Sequence, residues 1–361
     1  MGLPAEMPPR LPGRYRMPAE WEPHLGTYLV WPHNEATWPG CIEQARHAIA
    51  LVAAALSRSE AVRILVPSAE MRRHAADMLA KAGANVRQVD LITIATDDSW
   101  IRDFGPIFVN RAEPTETIPA QIALNWRFNA WGGKYEPYAL DDAVPRRLAA
   151  HYGFEVLDVD LVLEGGAIEV NGRGAVLASE TCLLDTNRNG PRARRDVLER
   201  YLREYLGVDT VVWLAGAIAG DDTDGHVDQI ARFVAEDHVV TMVEDDPADE
   251  NYDTLRGNLD RLKAARLSDG RPLKIDLLPM PEPVFYRNAR LPASYANFYI
   301  GNSCVLVPLF DCAQDQLAVE LLSRLFSGRE VIGIPATHLV VGLGAIHCLT
   351  MQHPTPSPTR L

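Results

Sequence analysis

Near the carboxyl end, at residues 342–354, the chain reads GLGAIHCLTMQHP. Cys348 stands beside His347, just past a Gly-x-Gly turn, in a chain of 361 residues with five cysteines. A thiol there can be a small apolar filler, a metal ligand or a nucleophile. The choice depends on what other chemistry the sequence can bring to it. Asp103 lies in DDSWIRDFGP (97–106), where turn capping or an ion pair with Arg102 would also account for it. Glu164 follows the apolar run Leu161-Val162-Leu163 and precedes two glycines. Its carboxylate is expected to be at least partly buried, and therefore partnered. DDTDGHVDQIARFV (221–234) supplies Asp222, Asp224, His226 and Asp228. In extended backbone His226 and Asp228 share a face.

Three chemistries use this inventory. A hydrolytic zinc site could draw on His226, Asp228 and Cys348, but such sites show two or more His or Cys ligands at characteristic spacing. A Cys–His protease would need an Asn or Asp orienter that no motif supplies, and extra carboxylates serve no purpose around a neutral amide. The third is thiolate attack on the planar carbon of a guanidinium. That cation is always charged, so its carbon becomes attackable only when carboxylates grip the nitrogens with charge-assisted hydrogen bonds. Asp103 and Asp228 could do so. A histidine can protonate departing ammonia and then activate water, and a thiolate is the strongest side-chain nucleophile. Three carboxylates around an empty site should raise the Cys348 pKa, and an incoming cation should lower it.

These residues must be brought together by the elements between them. Helices are expected at 42–58, 68–83 (Ser68 as N-cap, Gly83 at the end), 194–207, 251–266 and 314–326, with a strand at 61–67. Short alternating strands follow glycine-bearing turns at RDFGPIFV (102–109), LEGGAIEV (163–170), TDGHVDQIARFV (223–234), ASYANFYI (293–300) and GLGAIHCL (342–349). They recur roughly every 50–70 residues, about one strand-strand-helix-strand module each. If five such modules pack radially, the polar residues of their turns share one pocket. His347 is expected to face the other way along its strand. No Gly-, Ser- or Pro-rich linker interrupts the middle, so a single domain over 1–361 is expected. Its ordered core covers about 16–354, with a Pro-rich start and a loose tail at 353–361.

A net charge of −13 argues against a nucleic-acid partner, which a basic face would mark. The richest run of arginines, 191–207, alternates with Glu199 and Glu204 at helical spacing and reads as a solvated face. Five scattered cysteines without a CxxC pair suit a reducing compartment. The first residues lack an apolar signal region, and no apolar run approaches the ~18 residues of a membrane span. A cytoplasmic enzyme with no membrane contact is expected.

Seven blocks in order carry a resemblance: RMPAEWEPHLGTYLVWP (16–32), DDSWIRDFGP, WRFNAWGGKY (126–135), LEGGAIEVNGRGAVLASETCLLDTNRN (163–189), DDTDGHVDQIARF, ASYANFYIGN (293–302) and GLGAIHCLTMQHP. The chain resembles the agmatine deiminase family, the bacterial-type peptidylarginine deiminase-like proteins of the guanidino-group-modifying superfamily. The resemblance implies an α/β fold, a five-bladed pseudo-symmetric propeller (a pentein). It implies Cys348 as nucleophile, His226 as acid–base, Asp103 and Asp228 as the guanidinium grip, and Glu164 touching substrate and holding His226. Trp100 is implied as an aromatic wall, with Asp97, Asp222 and Gly344 in substrate binding. The reaction would be hydrolysis of agmatine to N-carbamoylputrescine and ammonia through a covalent thiouronium, feeding polyamine metabolism. No metal and no cofactor are implied, the partner is a small cationic guanidino substrate, and a homodimer is a family-level expectation. The chain departs from the family's pattern at Leu343 and Ala345, where Gly and Asn are usual, at Ala167, where Asn is usual, and at Asp222, one methylene shorter than the usual Glu. These substitutions leave the chemical centre intact and open the identity of the substrate's far end. Another guanidino compound, or a guanidinium-binding protein without catalysis, is the alternative.

Overall fold

The computed structural model describes residues 11–112, 118–191 and 193–356. Its helices form where the apolar spacing and caps place them. Ala69–Lys81 begins at Ser68, whose hydroxyl accepts the Met71 amide at 3.1 Å, the N-cap bond that satisfies an otherwise orphaned donor. Ile42–Leu56 buries Ala45, Ile49, Val52, Ala53 and Leu56 at i, i+4, i+7, i+8 and i+11 from Ala45, the stripe of a helix packed on a sheet. Arg195–Leu206, Tyr252–Ala264 and Gln314–Leu325 match the remaining helices within a few residues.

The strands gather into five sheets of three or four strands, each built from a strand, an antiparallel partner, a helix and a parallel return, plus a small hairpin. In chain order the first comprises Ile107–Arg111, Gln121–Arg127 and Val156–Val162, with Tyr15–Arg16 antiparallel on its edge. Then come Ile168–Val170 with Ala175–Ser179 and Thr210–Leu214, Ala231–Ala235 with His238–Val243 and Lys274–Pro279, and Tyr299–Ile300 with Cys304–Leu309 and Glu330–Pro335. The fifth joins the chain's two ends: Thr350–Pro354 pairs antiparallel with His24–Val30, Thr350 opposite Leu29, and His24–Val30 runs parallel to Ala61–Val66. One buried cluster links all five, with Tyr28, Leu124, Leu177, Phe233 and Leu306 inaccessible to solvent. Each fully buried aliphatic or aromatic side chain contributes about 1.5–3 kcal/mol.

The five repeated segments are not strands throughout. Each opens with a short helical turn and only then extends: Ile101–Phe104, Gly165–Ala167, Val227–Gln229 and Tyr295–Asn297 precede the strands beginning at 107, 168, 231 and 299. In the fifth, 342–349 contains no strand. A turn at Leu339–Gly342 leads to another in which the Leu349 and Thr350 amides bond back to the carbonyls of Ile346 and His347. The expected loose tail at 353–361 is corrected in part, since His353 and Pro354 pair with Gly26 and His24. The rest of that tail beyond 356, and the Pro-rich residues 1–10, lie outside the described residues. Among the described residues no helix is long and apolar enough to cross a membrane.

Candidate active site

The helical turns bring their polar residues to one place. Cys348 is 5 % exposed at the base of a cavity of about 440 Å³. Trp100, Asp103, Asp97, Asp222 and Gly344 line the same cavity. His226, Asp228 and Glu164 lie fully buried and do not line it.

Gly166 shows how tightly the groups meet. A methyl placed on its Cα would lie 2.5 Å from His226 Nδ1, 2.9 Å from Asp103 Oδ1 and 3.1 Å from Asp228 Oδ2. Only a glycine leaves that space open. Its amide donates to Asp103 Oδ1 at 3.0 Å, and Trp131 Nε1 donates to Asp103 Oδ2 at 3.0 Å. Asp228 Oδ1 and both His226 ring nitrogens are buried with no hydrogen-bond partner. Orphaned buried polar atoms are costly. Here they cluster beside Asp103, whose side chain does line the cavity.

Loop 221–225 aims His226. Asp221 accepts the Thr223 amide and hydroxyl and the Gly225 amide, while Asp224 and Gly225 turn through φ +65 and +97. Gly225 is required, because a Cβ there would lie 2.1 Å from the Gly216 carbonyl oxygen.

The electrostatics follow from burial among acids. Burial and the nearby Asp228 and Asp103 push the Cys348 thiol well above its ordinary value, against hydrogen bonds from Asn297 and the Ala345 amide. The raised thiol agrees with the sequence expectation, although Glu164 is not among its causes. Burial lifts the Asp103 carboxyl to about 6, with Asp228 and Glu164 adding to the lift and His226 and Trp131 opposing it. Burial also disfavours charge on Asp228, yet His347, His226 and Arg232 hold that carboxyl below its usual range. For His226 burial acts downward, but Asp103, Asp228, Glu164 and Asp221 together outweigh it and raise the imidazole.

Three expectations need correction. Glu164 does not reach the cavity, and its oxygens are taken by Arg188 Nε at 3.0 Å and the Cys182 thiol at 3.2 Å. His226 Nε2 stands 4.0 Å away, so Glu164 acts on it as a charge rather than as a close hydrogen-bond partner. His347 does not face away. Because 346–349 is a turn, the two-residue alternation of a strand does not apply, and His347 points inward beside Cys348. Its Nδ1 lies 2.7 Å from Asp228 Oδ2 and its Nε2 2.9 Å from Glu20 Oε2. Arg102 pairs not with an aspartate but with Glu20, and it also donates to the carbonyls of His347 and Cys348.

Sequence reasoning passed over Asn297, Arg188, Trp131 and Glu20. Asn297 donates from Nδ2 to Cys348 Sγ at 3.0 Å. Arg188 ties Glu164 to the loop before His226 through Asp224 and the Thr223 carbonyl. All four stand inside the quoted blocks, and that was the available signal. The His226, Asp228 and Cys348 set does not form a metal cluster among the described residues. The three donors that do approach one another are Glu164, Cys182 and His226, and there Arg188 and the thiol proton already occupy the carboxylate.

The far end of the cavity is less open than the sequence implied. Asp222 takes a short hydrogen bond from the Tyr135 hydroxyl and lies 3.3 Å from Lys134 Nζ. Asp97 accepts the Leu140 amide at 2.8 Å. Trp100 packs on Trp38 with centroids 5.4 Å apart, and a Cβ at Gly344 would lie 2.5 Å from its ring. Leu343 adopts φ +70 and lines the cavity, a backbone region that costs a branched residue roughly 1–2 kcal/mol. Ala345 and Ala167 are buried and leave the wall to others.

The model of the Porphyromonas-type peptidyl-arginine deiminase family matches residues 16–354. The chain belongs to that family. It is 35% identical over 375 residues to the agmatine deiminase of Pseudomonas aeruginosa strain UCBPP-PA14, covering 96% of this chain and 97% of that one. Identity to the agmatine deiminase of Ectopseudomonas mendocina is 35% over 373 residues, again 96% and 97% of the two chains. The solved agmatine deiminase of Enterococcus faecalis superposes with a TM-score of 0.87 at 29% identity, over 99% of this chain and 100% of that one. The α/β fold of this family member is therefore that of the agmatine deiminase structures.

Proposed function

We propose that this chain is an agmatine deiminase, a hydrolase of the linear amidine C–N bond that converts agmatine to N-carbamoylputrescine and ammonia. The family and its relatives supply the reaction class. The observation that carries the assignment to these residues is the convergence of Asp103, Asp228 and His226 on Gly166, with Asp103 and Cys348 lining the cavity and Asp228 beside the thiol. In this reading the five sheets pack around a pseudo-fivefold axis as a propeller, with the helical turns at its centre, in one catalytic domain.

Asp103 and Asp228 hold the guanidinium and draw its charge onto the nitrogens. The arriving cation offsets the field that raises the Cys348 thiol, so its proton passes to solvent water and substrate activates its own attacker. Thiolate sulfur bonds to the guanidinium carbon. The C–N bond then breaks as His226 gives its proton to the departing ammonia, leaving an S-alkylthiouronium on Cys348. Neutral His226 takes a proton from water, the hydroxide adds to the same carbon, and the C–S bond breaks as the hydroxyl proton passes to the departing sulfur, which releases the ureido product and restores the thiol. Every group needed belongs to the chain or to water.

Ammonia release from agmatine, with Cys348→Ser as control, tests the proposal. Turnover lost in that variant is the expected result, and an inert wild-type enzyme would overturn it. A second reading, deimination of a different guanidino compound, is favoured by Asp222, which Lys134 and Tyr135 already engage. A panel of guanidino compounds compared by kcat/KM separates the two.

A further inference from the structure

We propose that His347 and Glu20 are positioning residues, with His347 a standing imidazolium that keeps Asp228 charged and turned toward the substrate. The inference rests on the deiminase reading for its catalytic consequence, but its structural core is independent of it.

Both ring nitrogens of His347 face carboxylate oxygens, Asp228 Oδ2 at 2.7 Å and Glu20 Oε2 at 2.9 Å. An ionised carboxylate only accepts hydrogen bonds, and a neutral imidazole donates only one. If both acids are charged, the ring must carry a proton on each nitrogen. The surroundings keep them charged. Glu20 also meets Arg232 Nη2 at 2.9 Å, Arg102 Nη2 at 3.2 Å and the Ile300 amide at 2.8 Å. Burial works against its charge, yet Arg232, His347 and Arg102 hold its carboxyl well below the ordinary value.

A further charged group packed here is Glu169, 3.1 Å from Arg232 Nε, whose carboxyl burial pushes up while Arg232, His347 and Arg102 oppose the rise. Met351 and Gln352, neutral, take the other Arg102 nitrogen. Around His347 the titratable neighbours are therefore Asp228, Glu20, Glu169 and the adjoining Cys348, backed by two arginines.

The consequence lies in which Asp228 oxygen is free. His347 engages Oδ2, the oxygen 3.5 Å from Cys348 Sγ. Oδ1 is left buried and unpartnered, the atom available to a guanidinium N–H. The His347 backbone cannot drift, because its amide donates to Asn297 Oδ1 at 3.0 Å and its carbonyl accepts Arg102 Nε at 3.2 Å. The histidine beside the nucleophile thus acts through Asp228, without touching substrate.

Neutron diffraction on wild-type crystals grown near neutral pH, or nitrogen NMR of the histidine rings assigned with a His347→Gln variant, reads the proton positions directly. Hydrogen on both His347 nitrogens is expected, and an unprotonated nitrogen would overturn the proposal whatever the enzyme's activity. In kinetics, His347→Gln and Glu20→Gln should lower kcat/KM on the order of a hundredfold and about tenfold, respectively. Both should move the acid limb of its pH profile upward, because Asp228 then protonates more readily. A fall in Tm with the acid limb unmoved would show a merely structural role. Should the variants not fold, the wild-type proton positions still decide. Agmatine left intact by wild type, with both nitrogens protonated, would sink the deiminase reading alone.

Discussion

Asn297 holds Cys348 by both ends of its side-chain amide. Nδ2 donates to Sγ at 3.0 Å, and Oδ1 accepts the cysteine's own amide at 3.3 Å. The donor stabilises the thiolate against burial and two acids, and a hydrogen bond to a charged group contributes about 1.5–3 kcal/mol. Asn297→Ala should therefore lower kcat/KM roughly 10- to 100-fold. It should also shift iodoacetamide alkylation of Cys348 to higher pH. An unmoved alkylation profile would mean that Asn297 only places the backbone.

Asp103→Asn should trade activity for stability. The wild-type carboxyl is raised to about 6 by burial, so the folded protein binds its proton more tightly than the unfolded chain does. This group penalises folding in full above its folded pKa, and the penalty shrinks as pH falls from about 6 and is gone below the ordinary carboxylate value. The variant removes that charge but loses an acceptor for either Trp131 or Gly166. A net gain on the order of 1–2 kcal/mol is expected above pH ~6 and none in acid. Thermal melts across pH read this, while turnover should vanish. A variant less stable than wild type near neutrality would mean that the lost hydrogen bond outweighs the relieved burial.

Gly166→Ala should push apart the groups that grip the cation. The added carbon would meet His226, Asp103 and Asp228 at 2.5–3.1 Å. A loss in kcat/KM on the order of a hundredfold or more is expected, since small displacements of reacting groups cost that much. Circular dichroism should be unchanged. Activity near wild type would place the substrate elsewhere in the cavity.

Asp222→Asn tests the far end of the pocket. If the carboxylate reads the distal amine of agmatine, KM should rise roughly tenfold with kcat little changed. A guanidino compound without that amine should be indifferent to the substitution. Equal KM values for agmatine in both proteins would show that Lys134 and Tyr135 have already committed the acid, and would favour the second reading.

Much of the site was legible because residue type constrains chemistry. A cysteine, a histidine and three acids beside glycine turns exclude most alternatives, and the helix from Ala69 to Lys81 could be bounded from Ser68 and Gly83 alone. Asn297 was not legible. An amide in a Tyr-Ala-Asn turn looks like ordinary turn chemistry until the chain 51 residues on is folded against it. Glu164 is legible as a buried, partnered carboxylate, but nothing local names Arg188 as that partner, because the two meet only in the folded chain.

The sequence by itself determined the five turn-and-strand repeats, the residues offered at each turn and the membership of the family, all properties of local pattern and order. The tertiary structure decided which atoms meet. It placed Glu164 behind the cavity, engaged Asp222 with a lysine, and turned His347 inward against Asp228 and Glu20. The reason is directional. A strand fixes its side chains by alternation, whereas the turn at 346–349 follows no such rule, so the side on which His347 lies depends on partners 119 and 327 residues away.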